Sequence, residues 1–407
     1  MKKTKQKKWI RPQHKLFREL IYTFFVPHVK RKYGVEVEKF KEQEKGKSYL
    51  ILFNHQTAYD QFIVGMAFDG PVYYVASEDL FSLGFLSKII KWAVAPIPIK
   101  KQTTDVGAVL TCKRVVKEGG TIALAPEGNR TYSGKTEHIN PAIAGLAKLL
   151  KLPIVFYRIE GGYGVHPRWA DEARKGNKVR GYVSRVMEVD EYINLDNDAL
   201  NAEIKKELFV DDTTLGGEFK HKQLAEYLER VLYVCPKCGL ATFVSHDDIV
   251  ECKKCHLKVQ YMPDKKLKGE NAEIPFEFVK DWYDYQVDFM SKLDLSSFAD
   301  KPIFADKPVK LFKVILYKKK KIIDKKASIT AFNDRIELAH KKCNVVLPFD
   351  DITAVTVLGK NKLNIYTGES VYQIKGDKRM NAIKYVNLYY HYVNVKDGNE
   401  NGRFLGL

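Results

Sequence analysis

No stretch of this sequence offers the ~18 consecutive apolar residues needed to span a bilayer, so the chain is expected to lie on a membrane surface and not to cross it. No secretory leader is expected either: no clean apolar core precedes a small-residue cleavage site, and Pro27 and His28 interrupt the one candidate. Cysteine is sparse, six in 407 residues, and four of the six fall in two C-x-x-C pairs. That usage points to a metal rather than to disulfides, and so to a reducing compartment. Acidic residues are outnumbered, 50 against 68 Lys and Arg, for a net charge of +18. Such an excess implies an anionic partner: a membrane surface, a nucleic acid or an acidic carrier.

The excess is concentrated at the start. Residues 1–33 hold eleven Lys or Arg and one acid, Glu19, a net +10. Within them Phe17, Leu20, Ile21, Phe24 and Phe25 recur at i, i+3, i+4, i+7 and i+8, one apolar helical face, with Lys15, Arg18 and Glu19 elsewhere. A basic helix with an aromatic face reads as an interfacial membrane helix. The alternative is a helix packed on the next domain with a solvated basic tail.

Tyr49 to Phe53 is apolar without alternation, as in a strand buried on both faces of a parallel sheet. Asn54 breaks the run, and Phe62, Ile63, Met66 and Ala67 resume at helical spacing. His55 therefore stands where a strand turns into a helix at the rim of a sheet, the usual place for chemistry in α/β folds. On one continuous helix His55 and Asp60 would be about 140° apart and could not touch. With His55 in the turn and Asp60 in the first helical turn, the carboxylate can reach an imidazole nitrogen, fix the tautomer and raise the basicity of the other. The segment Tyr49–Asp60 holds no serine or cysteine to activate, so such a base would act on a hydroxyl of the substrate. These residues alone leave open a loop histidine beside a helix-capping aspartate.

Thr121–Thr131 repeats the layout, an apolar strand and then a polar turn, Pro126-Glu127-Gly128-Asn129-Arg130. Gly128 lets backbone approach a ligand closely. Arg130 suits a phosphate, because its planar fork makes bidentate charge-assisted bonds. A surface turn with a local Glu127–Arg130 ion pair is the other reading.

Together the two segments resemble the glycerolipid acyltransferase family, of the type that acylates lysophosphatidic acid. Its N-H-x-x-x-x-D motif is met by Asn54, His55 and Asp60, and its F-P-E-G-T-R motif by Pro126, Glu127, Gly128 and Arg130, with Ala125 and Asn129 in place of Phe and Thr. A further family motif resembles Ala95–Lys101, with Lys101 where the family has arginine, and another resembles Leu152–Phe156. The resemblance covers roughly residues 15 to 230. It implies a mostly parallel α/β sheet flanked by helices, with His55 as general base and Asp60 orienting it. Lys101, Glu127, Gly128 and Arg130 would hold a phosphate-bearing lysophospholipid, most readily lysophosphatidic acid. An acyl thioester on coenzyme A or acyl carrier protein would be the donor, and backbone N–H groups at the start of the helix after His55 would stabilise the oxyanion.

Between the motifs, Leu80 to Trp92 crowds apolar residues around Lys88 and Lys91. Helices are expected at 111–117, 142–151 and 224–232, and a strand at 152–159. The loop from Gly161 to Arg180, glycine-rich and basic, is expected near a lipid headgroup.

Cys235-x-x-Cys238, thirteen residues, then Cys252-x-x-Cys255 is the spacing of a zinc ribbon, with four thiolates in tetrahedral reach and no position left for water. Asp247, Asp248 and Glu251 offset its lysines, so no basic face follows phosphates and no nucleic acid is expected. From Val309 seven short strands and a closing helix at 380–393 resemble a pleckstrin-homology-like β-barrel. Lysines 318–321, 325 and 326 there suit anionic headgroups. The expected organisation is a basic helix at 1–33, an acyltransferase domain at 34–230, a zinc ribbon at 231–262, a connector at 263–308, the β domain at 309–395 and a tail at 396–407. The expected location is cytoplasmic, peripheral on the inner face of the cell membrane. A non-catalytic membrane adaptor is the competing reading.

Overall fold

Residues 8–99, 105–314, 320–341, 343–368, 370–399 and 402–406 are described by a computed structural model. Two units divide the chain: Met1–Thr131, Lys135–Val165 and Asn177–Leu215 form the first, and Tyr132–Gly134, His166–Gly176 and Gly216–Leu407 the second.

The first unit opens with a helical arm: α1 (Pro12–Leu20), a π-turn (Ile21–Phe25) and α2 (Val26–Tyr33). Pro27 cannot donate to the ladder and its ring would crowd the preceding turn, and the wider π-turn just ahead of it lets the arm run on. The elements that follow are β1 (Val35–Val37), β2 (Leu50–Phe53), α3 (Asp60–Ala67), β3 (Val72–Ser77), α4 (Phe85–Val94), β4 (Ile97–Ile99), α5 (Val106–Lys117) and β5 (Thr121–Leu124). Next come α6 (Ala142–Leu150), β6 (Ile154–Glu160), the single turn α7 (Gly162–Val165), β7 (Val179–Met187), α8 (Val189–Tyr192) and α9 (Asn197–Leu208).

The strands lie in the order β1-β7-β6-β2-β5-β3-β4. Every neighbouring pair is parallel except β6–β7. β2 lies mid-sheet between β6 and β5 with all four residues buried, which is why it carries no polar alternation. α5, α6 and α9 share one core with Leu50 and Leu52. α5 starts five residues before the expected 111 because the Asp105 carboxylate accepts the Ala108 N–H at 3.0 Å and caps it.

In the second unit β8 (Val234–Cys235) pairs with β9 (Gly239–Leu240), and β10 (Phe243–His246), β11 (Ile249–Cys252), β12 (Lys258–Tyr261) and β13 (Leu267–Gly269) form a four-stranded sheet. After α10 (Val279–Ser291) come β14 (Phe304–Val314), β15 (Lys321–Ala331), β16 (Arg335–His340), β17 (Cys343–Pro348), β18 (Ile352–Leu358), β19 (Lys362–Thr367), β20 (Val371–Lys375) and α11 (Ile383–Lys396). These seven strands form one antiparallel sheet, β17-β16-β15-β14-β20-β19-β18. α11 is tied to it by Tyr389, whose hydroxyl donates to Ile352 O at 2.6 Å.

Three expectations are corrected here. Residues 224–232 do not form a helix beyond the short 3-10 turn Leu228–Arg230. Tyr227 sits at φ +73°, and the carbonyls of Glu229, Val231 and Leu232 accept side-chain amides of Asn381 and Gln286, so they are not free for a helical ladder. The stretch 263–308 is not a mere connector. Trp282 and Gln286 of α10 are fully buried, Trp282 donates to Val234 O at 2.8 Å, and Gln286 Oε1 accepts the N–H of Tyr233 and Val234 at 2.6 and 3.1 Å. Arg168 and Arg174 do not face a headgroup. Both are buried, Arg168 stacked 4.0 Å over Tyr132 and bonded to Val357 O and Gly359 O, Arg174 set between Trp169 and Tyr261. Of the expected lysine cluster, Lys318 and Lys319 lie outside the described residues.

Candidate active site and cysteine cluster

β2 ends at Asn54 because its side-chain amide takes over the strand's pairing. Asn54 Nδ2 donates to Ile159 O at 2.8 Å and Oδ1 accepts the Ile159 N–H at 2.7 Å. His55 follows in a turn, and α3 begins at Asp60. Since the turn breaks the 100° step of a helix, Asp60 folds back, and His55 Nδ1 lies 2.7 Å from Asp60 Oδ2. Asp60 is fully buried, while 26% of the His55 side chain is open. The carboxylate accepts the Gln56 N–H at 2.8 Å, the Thr57 N–H at 2.9 and 3.0 Å and the Thr57 hydroxyl at 2.6 Å. A carboxylate so saturated has one geometry, and it fixes that of the imidazole.

The second turn is fastened to the first. Glu127 Oε1 accepts the His55 N–H at 2.7 Å, Oε2 accepts the Glu137 N–H at 3.0 Å, and the Thr131 N–H donates to His55 O at 3.0 Å. Burial pushes the Glu127 carboxyl up to about 8 against the pull of those N–H groups, with nearby Glu137 and Asp60 adding to the rise. Gly128 takes φ +68°, and a Cβ there would meet no atom within 4 Å, so it leaves open space beside the turn. Arg130 is half-buried. Its guanidinium is close enough to Tyr33 to oppose the rise in that phenol's pKa, which burial causes first and a hydrogen bond to Tyr59 second. Lys101 lies outside the described residues.

One of these placements departs from expectation. Both Glu127 oxygens are spent on backbone, which makes the residue a brace for His55. The N–H groups of His55, Gln56, Thr57 and Tyr59 are all taken, the last by the Thr57 hydroxyl at 3.1 Å. Ala58 in the turn and Asp60 and Gln61 at the start of α3 have backbone N–H groups with no acceptor among the described residues.

Residues that sequence reasoning missed include Gln56, whose Oε1 accepts the N–H of Gly162 and Tyr163 at 2.8 and 3.2 Å, and Asp212, fully buried, whose carboxylate accepts those of Gly161 and Gly164. Their partners are distant in sequence, and no local spacing signals them. Gly162 itself carries a signal, since a Cβ there would stand 2.6 Å from Gln56 Oε1.

In the second unit the Sγ atoms of Cys235, Cys238, Cys252 and Cys255 lie within 4.8 Å of one another, Cys235–Cys255 and Cys238–Cys252 each at 3.6 Å. A regular tetrahedron with metal–sulfur bonds of ~2.3 Å has edges of about 3.8 Å. Backbone N–H groups of Lys237 and Cys238 point at the Cys235 sulfur, and that of Leu257 at Cys255. The four thiols are free of disulfides and fit a structural zinc.

No curated protein matches this chain. Among solved structures it is similar to the 1-acyl-sn-glycerophosphate (LPA) acyltransferase PlsC from Thermotoga maritima, at 17% identity over 47% of this chain and 79% of that one, TM-score 0.37. It is also similar to the N-terminal PH domain of human ARAP2, at 11% identity over 23% of this chain and 80% of that one, TM-score 0.19. The family model described as Acyltransferase matches residues 34–159. That matched segment holds His55, Asp60, Glu127 and Arg130 and is similar to the acyltransferase family.

Proposed function

We propose that the protein moves an acyl group from a thioester to the free hydroxyl of a lysophospholipid, lysophosphatidic acid before others. The 2.7 Å contact of His55 Nδ1 with a buried, four-times-bonded Asp60 carries this reading. Asp60 holds Nδ1 as a donor, so Nε2 acts as the base. Nε2 takes the hydroxyl proton as the hydroxyl oxygen attacks the thioester carbonyl. The tetrahedral intermediate collapses, the carbon–sulfur bond breaks, and the imidazolium returns its proton to the thiolate. The N–H groups of Ala58 and of Asp60 and Gln61 at the start of α3 are the backbone donors for the oxyanion. Arg130, with Lys101, binds the acceptor's phosphate. Glu127 keeps His55 in place and does not touch substrate.

Zinc would be held by Cys235, Cys238, Cys252 and Cys255 and would tie the ribbon together without entering the reaction. Among the described residues no helix is long and apolar enough to cross a membrane. Instead the arm exposes Leu16, Leu20, Phe24 and Phe25, and α4 exposes Phe85, Leu86, Ile89 and Trp92. The two helices meet at Phe17 and Trp92, ring centroids 4.9 Å apart. An apolar surface edged by Lys15, Lys88 and Lys91 suits the interface of an anionic bilayer.

The test is mass spectrometry of products from liposomes carrying a panel of lysophospholipids, with acyl-coenzyme A and acyl-carrier-protein donors, for the native protein and His55→Ala. Diacyl product lost in the variant is expected and would name both substrates. No product from any pair, with the fold and zinc intact, would replace this reading by that of a membrane adaptor.

A further inference from the structure

We infer that Asp212 is a positioning residue for the general base, acting on His55 through the backbone of the loop after β6 and the side chain of Gln56. The inference rests on the acyltransferase reading of the His55 turn.

Asp60 sets the ring of His55, so whatever sets the turn around Asp60 also sets the base. Two buried side chains divide the N–H groups of the loop that follows β6. Those of Gly161 and Gly164 go to the two oxygens of Asp212, the second at 2.9 Å. Those of Gly162 and Tyr163, between them, go to Gln56 Oε1 at 2.8 and 3.2 Å. Asp212 comes from the segment after α9, while Gln56 belongs to the catalytic turn itself. Burying such oxygens is costly unless they are bonded, so each side chain keeps its hold on the loop. From Gln56 the line continues inward. Its own N–H donates to Asp60 Oδ2 at 2.8 Å, and the same oxygen lies 2.7 Å from His55 Nδ1. Asp212, the loop, Gln56, Asp60 and His55 thus form one run of hydrogen bonds, in which movement of one member is felt by the others.

Glycines let the loop close on the turn. Gly161 takes φ +78°, and a Cβ there would stand 2.1 Å from Lys178 O. A Cβ on Gly162 would meet Thr57 Cγ2 at 2.9 Å as well as the Gln56 oxygen. The segment that supplies Asp212 also reaches His55 by a second route. The Thr136 N–H donates to Val210 O at 2.9 Å, and the Val210 N–H donates to Thr136 Oγ1 at 3.0 Å. The next residue, Glu137, donates its N–H to Glu127, whose other oxygen holds the His55 N–H. Residues 210–212 therefore hold the backbone of His55 through Glu127 and its ring through Asp60. A misplacement of about 1 Å in such a pair can cost on the order of 10²-fold in rate.

The experiment uses the full chain with zinc in the product assay. Asp212→Asn keeps the shape and one accepting oxygen but sets an NH2 against the other N–H. It should lower kcat roughly tenfold while KM for the acceptor stays within about twofold. Asp212→Ala and Gln56→Leu, which keep no acceptor, should each lose roughly 10²-fold. Because both sites lie on one run, adding Asp212→Asn to Gln56→Leu should cost less than about twofold more. Selective 15N-histidine labelling supplies a readout independent of turnover. The Nδ1 proton of His55, assigned by its loss in His55→Ala, should be sharp and at low field in the native protein. It should broaden or shift in Asp212→Asn while circular dichroism is unchanged. Native kcat in both Asp212→Asn and Gln56→Leu, losses that multiply in the double variant, or a native His55 resonance in Asp212→Asn would overturn the inference. Should Asp212→Ala fail to fold, the isosteric Asn variant decides. If the native protein makes no product, the acyltransferase reading fails by itself, and the His55 resonance still decides whether Asp212 positions the ring.

Discussion

Two histidines in this molecule stand five residues from a carboxylate and bond it through Nδ1: His55 to Asp60 at 2.7 Å, and His256 to Glu251 at 2.8 Å on the ribbon. Spacing, atoms and distance are nearly the same, and the surroundings are opposite. Asp60 is fully buried and taken by two backbone N–H groups and a hydroxyl, while His256 and Glu251 leave 73% and 29% of their side chains in water. A surface pair of the second kind is worth about 0–1 kcal/mol and does not hold a geometry. Chemistry is assigned by what surrounds the pair, not by the pair.

The largest separation of the two should come from the bases. His55→Ala is expected to lower kcat/KM by roughly 10³-fold or more, and His256→Ala by less than twofold, in the product assay. Next come the acids. Asp60→Asn presents an NH2 to N–H donors and disturbs the tautomer, for a loss of roughly 10²–10⁴-fold, whereas Glu251→Gln should leave both kcat and the midpoint of denaturation nearly unchanged. Metal removal cuts the other way. Chelation or Cys252→Ser should release about one zinc per chain and speed hydrogen exchange at 235–261, including the His256 turn, while exchange at 50–67 is unmoved.

The smallest effect concerns the brace behind His55. Burial holds the Glu127 carboxyl near 8 in the folded chain, above its unfolded value. The folded state therefore keeps a proton that the unfolded chain has released. The stabilising contribution is full below about 4.5 and is lost as pH rises to about 8. Denaturant midpoints at pH 5 and pH 8 should differ less in Glu127→Gln than in the native protein; an unchanged difference would remove Glu127 as the source.

Much of this was legible because it is local. Tyr49–Phe53 is apolar throughout since both faces of a central strand are covered, and the His55–Asp60 separation makes sense only across a turn. The C-x-x-C pairs encode their own geometry, and β16 alternates buried and half-buried residues because one side faces the core. Illegible were the contacts made over long separations. Glu127 looks like a ligand in sequence, and its bond to the His55 N–H is hidden there because that backbone is 72 residues away. Arg168 and Arg174 look solvated until Tyr132, Trp169 and Tyr261 are seen around them. Residues 224–232 have a helix-like composition, but their carbonyls are claimed by side chains from α10 and the segment before α11.

The Asn54 clamp has a consequence for how the protein is born. Its partner is Ile159, and that of neighbouring Gln56 is Gly162, each more than a hundred residues downstream. A ribosome adding ~5–20 residues per second reaches them many seconds after His55 has left the exit tunnel. Until then the nascent chain carries a histidine and an aspartate with no strand end to set them, so the His55–Asp60 turn is anchored only when β6 arrives.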